Sequence, residues 1–260
     1  GGERRGVEGG DSGAILGPLL GGVLGSRIGM MPVLWVSAGI FGLSSLFVIL
    51  IRAHPAETSQ DSAHASGSLL RNRRFLTFLP LMFLTIFAAY LPQPLTPNYL
   101  QNQGGLSLET IGRLASVGSL SNVVLLLLGS GLRAQLGILI SQGLLALYVI
   151  LLWQGSGVGV YTLAYAFFGG YRLLRVMVTT FARPLIPAAQ TGMAFGLIET
   201  VNAAAIILGP LAAGFLYDRN PIWMYIAATG LIAAAMLANL LSLPGLHIQP
   251  ASTPAGLETE

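Results

Sequence analysis

Two arginines and one glutamate stand where ionisable side chains are costly. Arg172, Arg175 and Glu199 each interrupt a long apolar run. A charge at the centre of a bilayer costs roughly 3 kcal/mol or more unless it is paired or wet, so each is expected to face the interior of a helix bundle. Arg175 lies seven residues before Ala182, and Glu199 seven residues after Gly192, where their two runs meet polar sequence. At a rise of about 1.5 Å per residue, both then sit about 10 Å below the same membrane surface. They can pair if their helices are neighbours. Such a pair is either a gate that forms and breaks or a permanent structural bridge. Glu199 is separately a candidate proton carrier.

Aromatic and polar residues recur at helical spacing around these charges. Tyr161, Tyr165, Phe168, Arg172 and Arg175 fall at relative positions 0, 4, 7, 11 and 14, a single helical stripe. Rings ending in guanidinium groups suit an organic solute, an anionic one included, and serve equally as helix contacts. Tyr90, Gln93, Pro94, Pro97 and Asn98 form a second face. Prolines there free backbone carbonyls, which survive at membrane depth only beside protein or water. Ser116, Ser119 and Asn122 follow one another at three-residue steps and suit interhelical hydrogen bonds.

Other chemistry is excluded by what is missing. The sequence has no cysteine, which removes disulfides, thiolate metal sites and cysteine nucleophiles. His54, His64 and His247 lie in polar stretches without an acid at ligand spacing, so no metal and no cofactor is expected. All 13 basic residues are Arg; without a Lys there is no Walker phosphate loop and no ATP hydrolysis on this chain. The net charge of +3 is scattered between apolar runs rather than gathered on one face, so no nucleic-acid partner is expected.

The elements that must position these groups are transmembrane helices. Of the 260 residues, 53% are hydrophobic and 9% charged. An average soluble domain carries roughly 25% charge, so this chain cannot cover a soluble surface. Its apolar runs are continuous rather than alternating, which excludes an antiparallel barrel. A crossing needs about 20 residues. Gaps between charges then predict eight spans, at 13–28, 32–51, 75–99, 110–131, 134–153, 158–182, 192–216 and 222–243. Residues 134–171 would measure about 57 Å as one helix, and Gln154-Gly155-Ser156-Gly157 divides them. Residues 52–74 read as a linker, 1–12 as the disordered or truncated N-terminus of something longer, and 244–260 as a disordered tail. A cytoplasmic linker puts Arg4, Arg5, Arg52, Arg71, Arg73, Arg74, Arg133 and Arg183 inside, against Arg27, Arg113 and Arg219 outside. That satisfies the positive-inside rule and leaves both termini cytoplasmic.

One segment recurs. Residues 15–27 (ILGPLLGGVLGSR) and 207–219 (ILGPLAAGFLYDR) agree at eight of thirteen positions with an offset of 192, and each is followed by a short turn, a proline and a tryptophan. Related helix pairs in two halves of a membrane chain mark transporters. Glycines at 13, 17, 21, 25 and 29 also make a stripe along which another helix can approach closely, and Pro18 permits a bend. The set Gly13, Gly17, Pro18, Gly21 and Gly22 resembles the fifth-helix Gly-Pro motif of the major facilitator superfamily. Arg183-Pro184, residues 191–196, and Gly209, Pro210 and Gly214 are similar to that family's stretch from the tenth to the eleventh helix.

The family has twelve helices in two halves joined by a long cytoplasmic loop. The resemblance implies that residues 13–51 are the last two helices of the first half, 52–74 the central loop and 75–243 the six-helix C-terminal bundle. It also implies that the tenth helix and the commonly broken seventh line a central cavity. Tyr90, Gln93, Asn122, Tyr165 and Arg172 are then candidate solute contacts, and Arg175 with Glu199 a charge pair or gate. Residues 129–137 occupy the family's eighth-to-ninth loop signature but lack its acid, and four helices of the first half are absent.

The reading is an all-α polytopic membrane protein resembling helices five to twelve of a secondary transporter. It is expected to move a small organic solute by alternating access in the plasma membrane. Its partners are the lipid bilayer, the solute and a coupling proton or sodium ion, and it is not an enzyme. With most of one cavity wall missing, it is expected not to transport alone. Two rival classes stay open: a structural or receptor-like membrane protein, and a membrane-embedded enzyme. The enzyme would need paired acids or histidines inside the bilayer, where Glu199 stands as the sole acid.

Overall fold

The computed structural model describes residues 29–50, 72–186 and 190–242, together with Leu24 and Arg27. Most of the expected first span, most of the linker and the tail lie outside the described residues, and with them Gly13, Gly17, Pro18, Gly21 and Gly22. The described residues form helices and turns, with no strand among them. In chain order the helices are α1 (Met30–Leu50), α2 (Arg73–Tyr90), α3 (Thr96–Asn102), α4 (Leu108–Gly129), α5 (Ala134–Gln154), α6 (Val158–Phe167), α7 (Gly170–Ala182), α8 (Thr191–Arg219) and α9 (Pro221–Ser242). A 3-10 turn, Arg183–Leu185, follows α7.

Local chemistry sets the boundaries. The Asn72 side chain caps α2 by accepting the Phe75 N–H at 3.2 Å. Its amide donates to the Leu185 carbonyl at 3.0 Å. One residue thus starts a helix and ties it to the 3-10 turn, at what is called here the linker end of the bundle. Ser107 caps α4 through the Thr110 N–H. Gly105 and Gly157 turn the chain with φ of +64° and +86°, a conformation that glycine adopts without strain. Pro221 opens α9, where its missing N–H costs nothing.

Five helices, α2, α4, α5, α8 and α9, are each long and apolar enough to cross a membrane. This is an all-α integral membrane protein. Two expected spans are not single helices. The span at 75–99 ends as α2 at Tyr90 and resumes as α3 at Thr96, because Pro92 and Pro94 cannot continue the hydrogen-bond ladder. Thr96 refills part of the gap by donating to the Pro92 carbonyl at 2.7 Å. The span at 158–182 is interrupted at Phe168 and Gly169, between α6 and α7.

Lipid is as apolar as leucine, so helices in a membrane associate through close packing and polar clasps rather than by hiding oil from water. Small residues carry the packing here: Ala164, Ala194, Ala205, Ala213, Ala228 and Ala235 are fully buried. The clasps join distant segments. Asn239 donates to the Thr85 hydroxyl at 3.0 Å, and Tyr225 to that of Thr96 at 3.2 Å. Both tie α9 to the α2–α3 span. Large apolar side chains such as Leu127, Leu128, Leu211 and Leu241 point outward, as a lipid-facing surface requires. Within the bundle, α2 packs on α8 and α9, α4 on α6 and α7, and α5 on α6, α7 and α9. The described side chains of α1, from Met31 to Leu46, are exposed apart from half-buried Val33.

Candidate functional site

The site starts from a pinned break. Ser121 of α4 donates its hydroxyl to the Ala166 carbonyl and accepts the Gly169 N–H at 3.1 Å. Both groups lie where the α6–α7 ladder is disturbed, so one hydroxyl satisfies two backbone atoms that would otherwise be orphaned. A Cβ at residue 169 would run into the Ser121 backbone; glycine is required by close approach. Beyond the break, α7 has two faces. Leu173, Leu174, Met177, Val178 and Phe181 are buried, while Arg172, Arg175, Val176 and Thr180 are exposed.

That polar face of α7 closes a cavity of about 640 Å³ with the end of α2 and the middle of α4. The volume is in the range of small-molecule sites, roughly 300–1,000 Å³. Tyr90 and Gln93 line one side and Asn122 another. Three rings make a wall. Tyr90 meets Tyr171 edge-on at 4.4 Å between centroids, and Phe168 lies parallel to Tyr171 at 6.0 Å. Along α7, the lining residues Arg172, Arg175, Thr179 and Arg183 recur at helical spacing, so guanidinium groups mark the wall from its aromatic end to the 3-10 turn. The Thr179 hydroxyl donates to the Arg175 carbonyl at 2.9 Å and so turns lone pairs, not its proton, outward.

Arg175 also reaches sideways. Its Nη2 donates to Glu199 Oε2 of α8 at 3.2 Å. Asn202, one turn along α8, donates to the same oxygen at 3.2 Å. Helices α7 and α8 do not pack along each other; α2 lies against both. The pair therefore spans a gap on its long side chains, which are 50% and 60% exposed. An ion pair this open is worth at most about 1 kcal/mol in water. The buried Asn122 Oδ1 and Tyr171 hydroxyl, both in the lining, have no hydrogen-bond partner among the described residues.

Several sequence expectations are relocated. Of the candidate solute contacts, Tyr90, Gln93, Asn122 and Arg172 line one cavity, and Arg175 lines it too. Tyr165 does not. It is buried 5.7 Å from the Tyr148 ring, because the break at Gly169 ends the regular phase that put it on a stripe with Arg172. Tyr161 is buried likewise and donates to the Gly155 carbonyl. Pro97 and Asn98 part from Tyr90 and Gln93 at the other break and are exposed on α3. The Ser116 hydroxyl bonds the Gly112 carbonyl of its own helix, and the interhelical hydroxyl is that of Ser121. Gly209 packs against Tyr90, 3.4 Å from where its Cβ would sit, but Gly214 has open space around it and makes no close packing. Pro210 lies within α8, half-buried. Tyr171, Thr179, Thr180 and Arg183 line the cavity unforeseen. The signal that would have found Thr179 and Arg183 is the Arg172–Arg175 spacing continued one and two turns further along the sequence.

The cavity is bordered by arginines and rings and opens within an otherwise apolar helical bundle. A sequence model of the Major Facilitator Superfamily matches residues 9–171, more than half of the chain. The chain belongs to the Major Facilitator Superfamily. No curated protein matches the sequence. Members of the superfamily are membrane transporters, which agrees with the bundle and gives the cavity a context. The matched stretch includes α4, the Ser121 clasp, the break and the ring wall; Arg172, Arg175 and Glu199 follow it.

Proposed function

We propose that the chain forms one wall of a secondary transporter that carries a small organic solute by alternating access, with the cavity between α2, α4 and α7 as the solute site. The observation that carries the reading is that cavity: a polar and aromatic space of about 640 Å³ in a helical bundle with a lipid-facing exterior. In this reading residues 30–50 are the sixth helix of the family plan and α2 to α9 its seventh to twelfth. The linker end faces the cytoplasm, as the arginine excess requires, and both termini lie inside at the plasma membrane. The chain is not an enzyme. The weak, gap-spanning Arg175–Glu199 pair is the gate on the cytoplasmic side, and a proton or sodium gradient drives the cycle.

Alternating access has a direct test. The chain lacks cysteine, so single cysteines report alone. In oriented vesicles, a membrane-impermeant maleimide should reach Thr179→Cys from the linker side and Gln93→Cys from the opposite side of the same preparation. Access from one side only, at both positions, would mark a static structural protein.

A further inference from the structure

We propose that Asn202 is the positioning residue of the gate: it keeps hold of Glu199 while Arg175 lets go and turns to the cavity. The proposal rests on the reading of the Arg175–Glu199 pair as the gate. Its ground is an asymmetry between the two partners of one carboxylate oxygen. Arg175 Nη2 and Asn202 Nδ2 both donate to Glu199 Oε2, each at 3.2 Å. A carboxylate only accepts, so the amide must turn its NH2 group toward Glu199 and its oxygen away. That oxygen, Asn202 Oδ1, is buried and has no hydrogen-bond partner among the described residues. The amide is oriented for Glu199 at the expense of its own acceptor.

The two donors are fastened differently. Asn202 is 3% exposed and sits three residues from Glu199 on α8, a helix packed against α2 and α9. It travels with Glu199 whatever α7 does. Arg175 comes from α7, which does not pack along α8, and its half-exposed side chain also lines the cavity. One guanidinium therefore has a carboxylate on one side and open space on the other. Releasing it leaves an ionised carboxylate behind, and such a group is costly at membrane depth unless something still bonds it. Asn202 supplies that bond, and a hydrogen bond to an ionised acceptor is among the stronger ones. Two donors on one oxygen also share its lone pairs, so each holds less firmly than it would alone. Both effects lower the cost of release. Asn202 lines no cavity; it acts on the gate only through Glu199.

The test follows Arg175 itself, by NMR of the full chain carrying nitrogen-15 arginine in lipid nanodiscs, with its guanidinium signal assigned by its loss in Arg175→Lys. Guanidinium protons held by a carboxylate exchange with water only on release, so the exchange rate reads the released fraction. Asn202→Leu, the same branched shape without the donor, should slow exchange roughly threefold, the size of one modest hydrogen bond. Asn202→Ala should do the same, and Asn202→Ser, which returns a donor, should recover part of the rate. Glu199→Gln should speed exchange roughly fivefold, the most that an ion pair this exposed supports. The Tm of Asn202→Leu should hold, because the amide it removes has an unpartnered oxygen; a merely structural asparagine would change Tm and leave exchange alone. The proposal is overturned if Asn202→Leu, or Asn202→Ala where the bulkier residue does not fold, leaves exchange unchanged or faster, or if Glu199→Gln does not speed it. The gate reading fails separately, if Glu199→Gln does not change how fast an impermeant maleimide reaches Asn122→Cys from the linker side. Faster exchange with unchanged labelling would keep the release of Arg175 and discard the gate.

Discussion

Helices α6 and α7 are two pieces of one crossing with opposite surroundings. In α6, Tyr161, Ala164 and Tyr165 are buried against neighbouring helices, and Tyr165 meets the Tyr148 ring of α5 edge-on. In α7, a buried apolar face backs onto α5 and α4 while the other face presents arginines and threonines to a cavity. What separates them is the two-residue break at Phe168 and Gly169, fixed by one serine hydroxyl. The lesson is that the same periodic pattern gives packing on one side of a break and a cavity wall on the other. The break, not the pattern, decides which residues meet.

The largest effect should come from removing the close approach. Gly169→Ala places a Cβ against the Ser121 backbone, which cannot swing aside as a side chain can, so α4 and α7 must move apart. A loss of about 3 kcal/mol is expected, near the upper end for overpacking, read as a large fall in Tm in detergent. Next is Ser121→Ala, which keeps the space but leaves the Gly169 N–H and the Ala166 carbonyl without their shared partner. The expected cost is about 2 kcal/mol, read as a fall in Tm in detergent. If Ser121→Ala melts like the parent, the hydroxyl does not hold the break.

Two smaller changes set the helices side by side. Tyr165 packs its ring edge-on against Tyr148, 5.7 Å between centroids. Tyr165→Leu removes that ring pair and should cost about 1 kcal/mol while leaving the cavity lining alone. Tyr171→Phe removes a buried hydroxyl that has no partner among the described residues, so its Tm should hold or rise slightly. The same result for both would erase the distinction between the packed and the lining helix. The smallest effect is at the Gly-Pro copy in α8. Gly214→Ala meets open space and gains helix propensity, up to about 1 kcal/mol, while Gly209→Ala, in ordinary contact with Tyr90, should be near neutral.

Much of this was legible in the sequence because bilayer physics leaves few options. Charge-free runs mark helices, and a charge inside a run must find a partner or water. That reasoning set Arg175 and Glu199 at equal depth, and the structure has them 3.2 Å apart. The resemblance grouped Tyr90, Gln93, Asn122, Tyr165 and Arg172, and all but Tyr165 share a cavity. The errors come from assuming that a run is one helix. Periodicity across Gly169 put Tyr165 beside Arg172, and periodicity across Pro92 and Pro94 put Asn98 beside Gln93. A glycine held by a serine 48 residues away leaves no local trace; only the folded chain brings the two together. Prolines do leave a trace, but they announce a break without its angle. Glycine spacing misled at Gly214 for a related reason, since a gap in side chains invites a neighbour without supplying one.

The claim beneath all of this is that the Gly169 break divides one crossing into a dry half and a half that borders water. Cysteine-scanning measures it directly, because the parent chain has no cysteine. Thr179→Cys on α7, Tyr165→Cys on α6 and Leu128→Cys on the outward face of α4 would be labelled in membranes with a water-soluble maleimide. The account predicts rapid labelling at 179 and little at 165 or 128. Labelling at 165 as fast as at 179, or at 179 as slow as at 128, would contradict it.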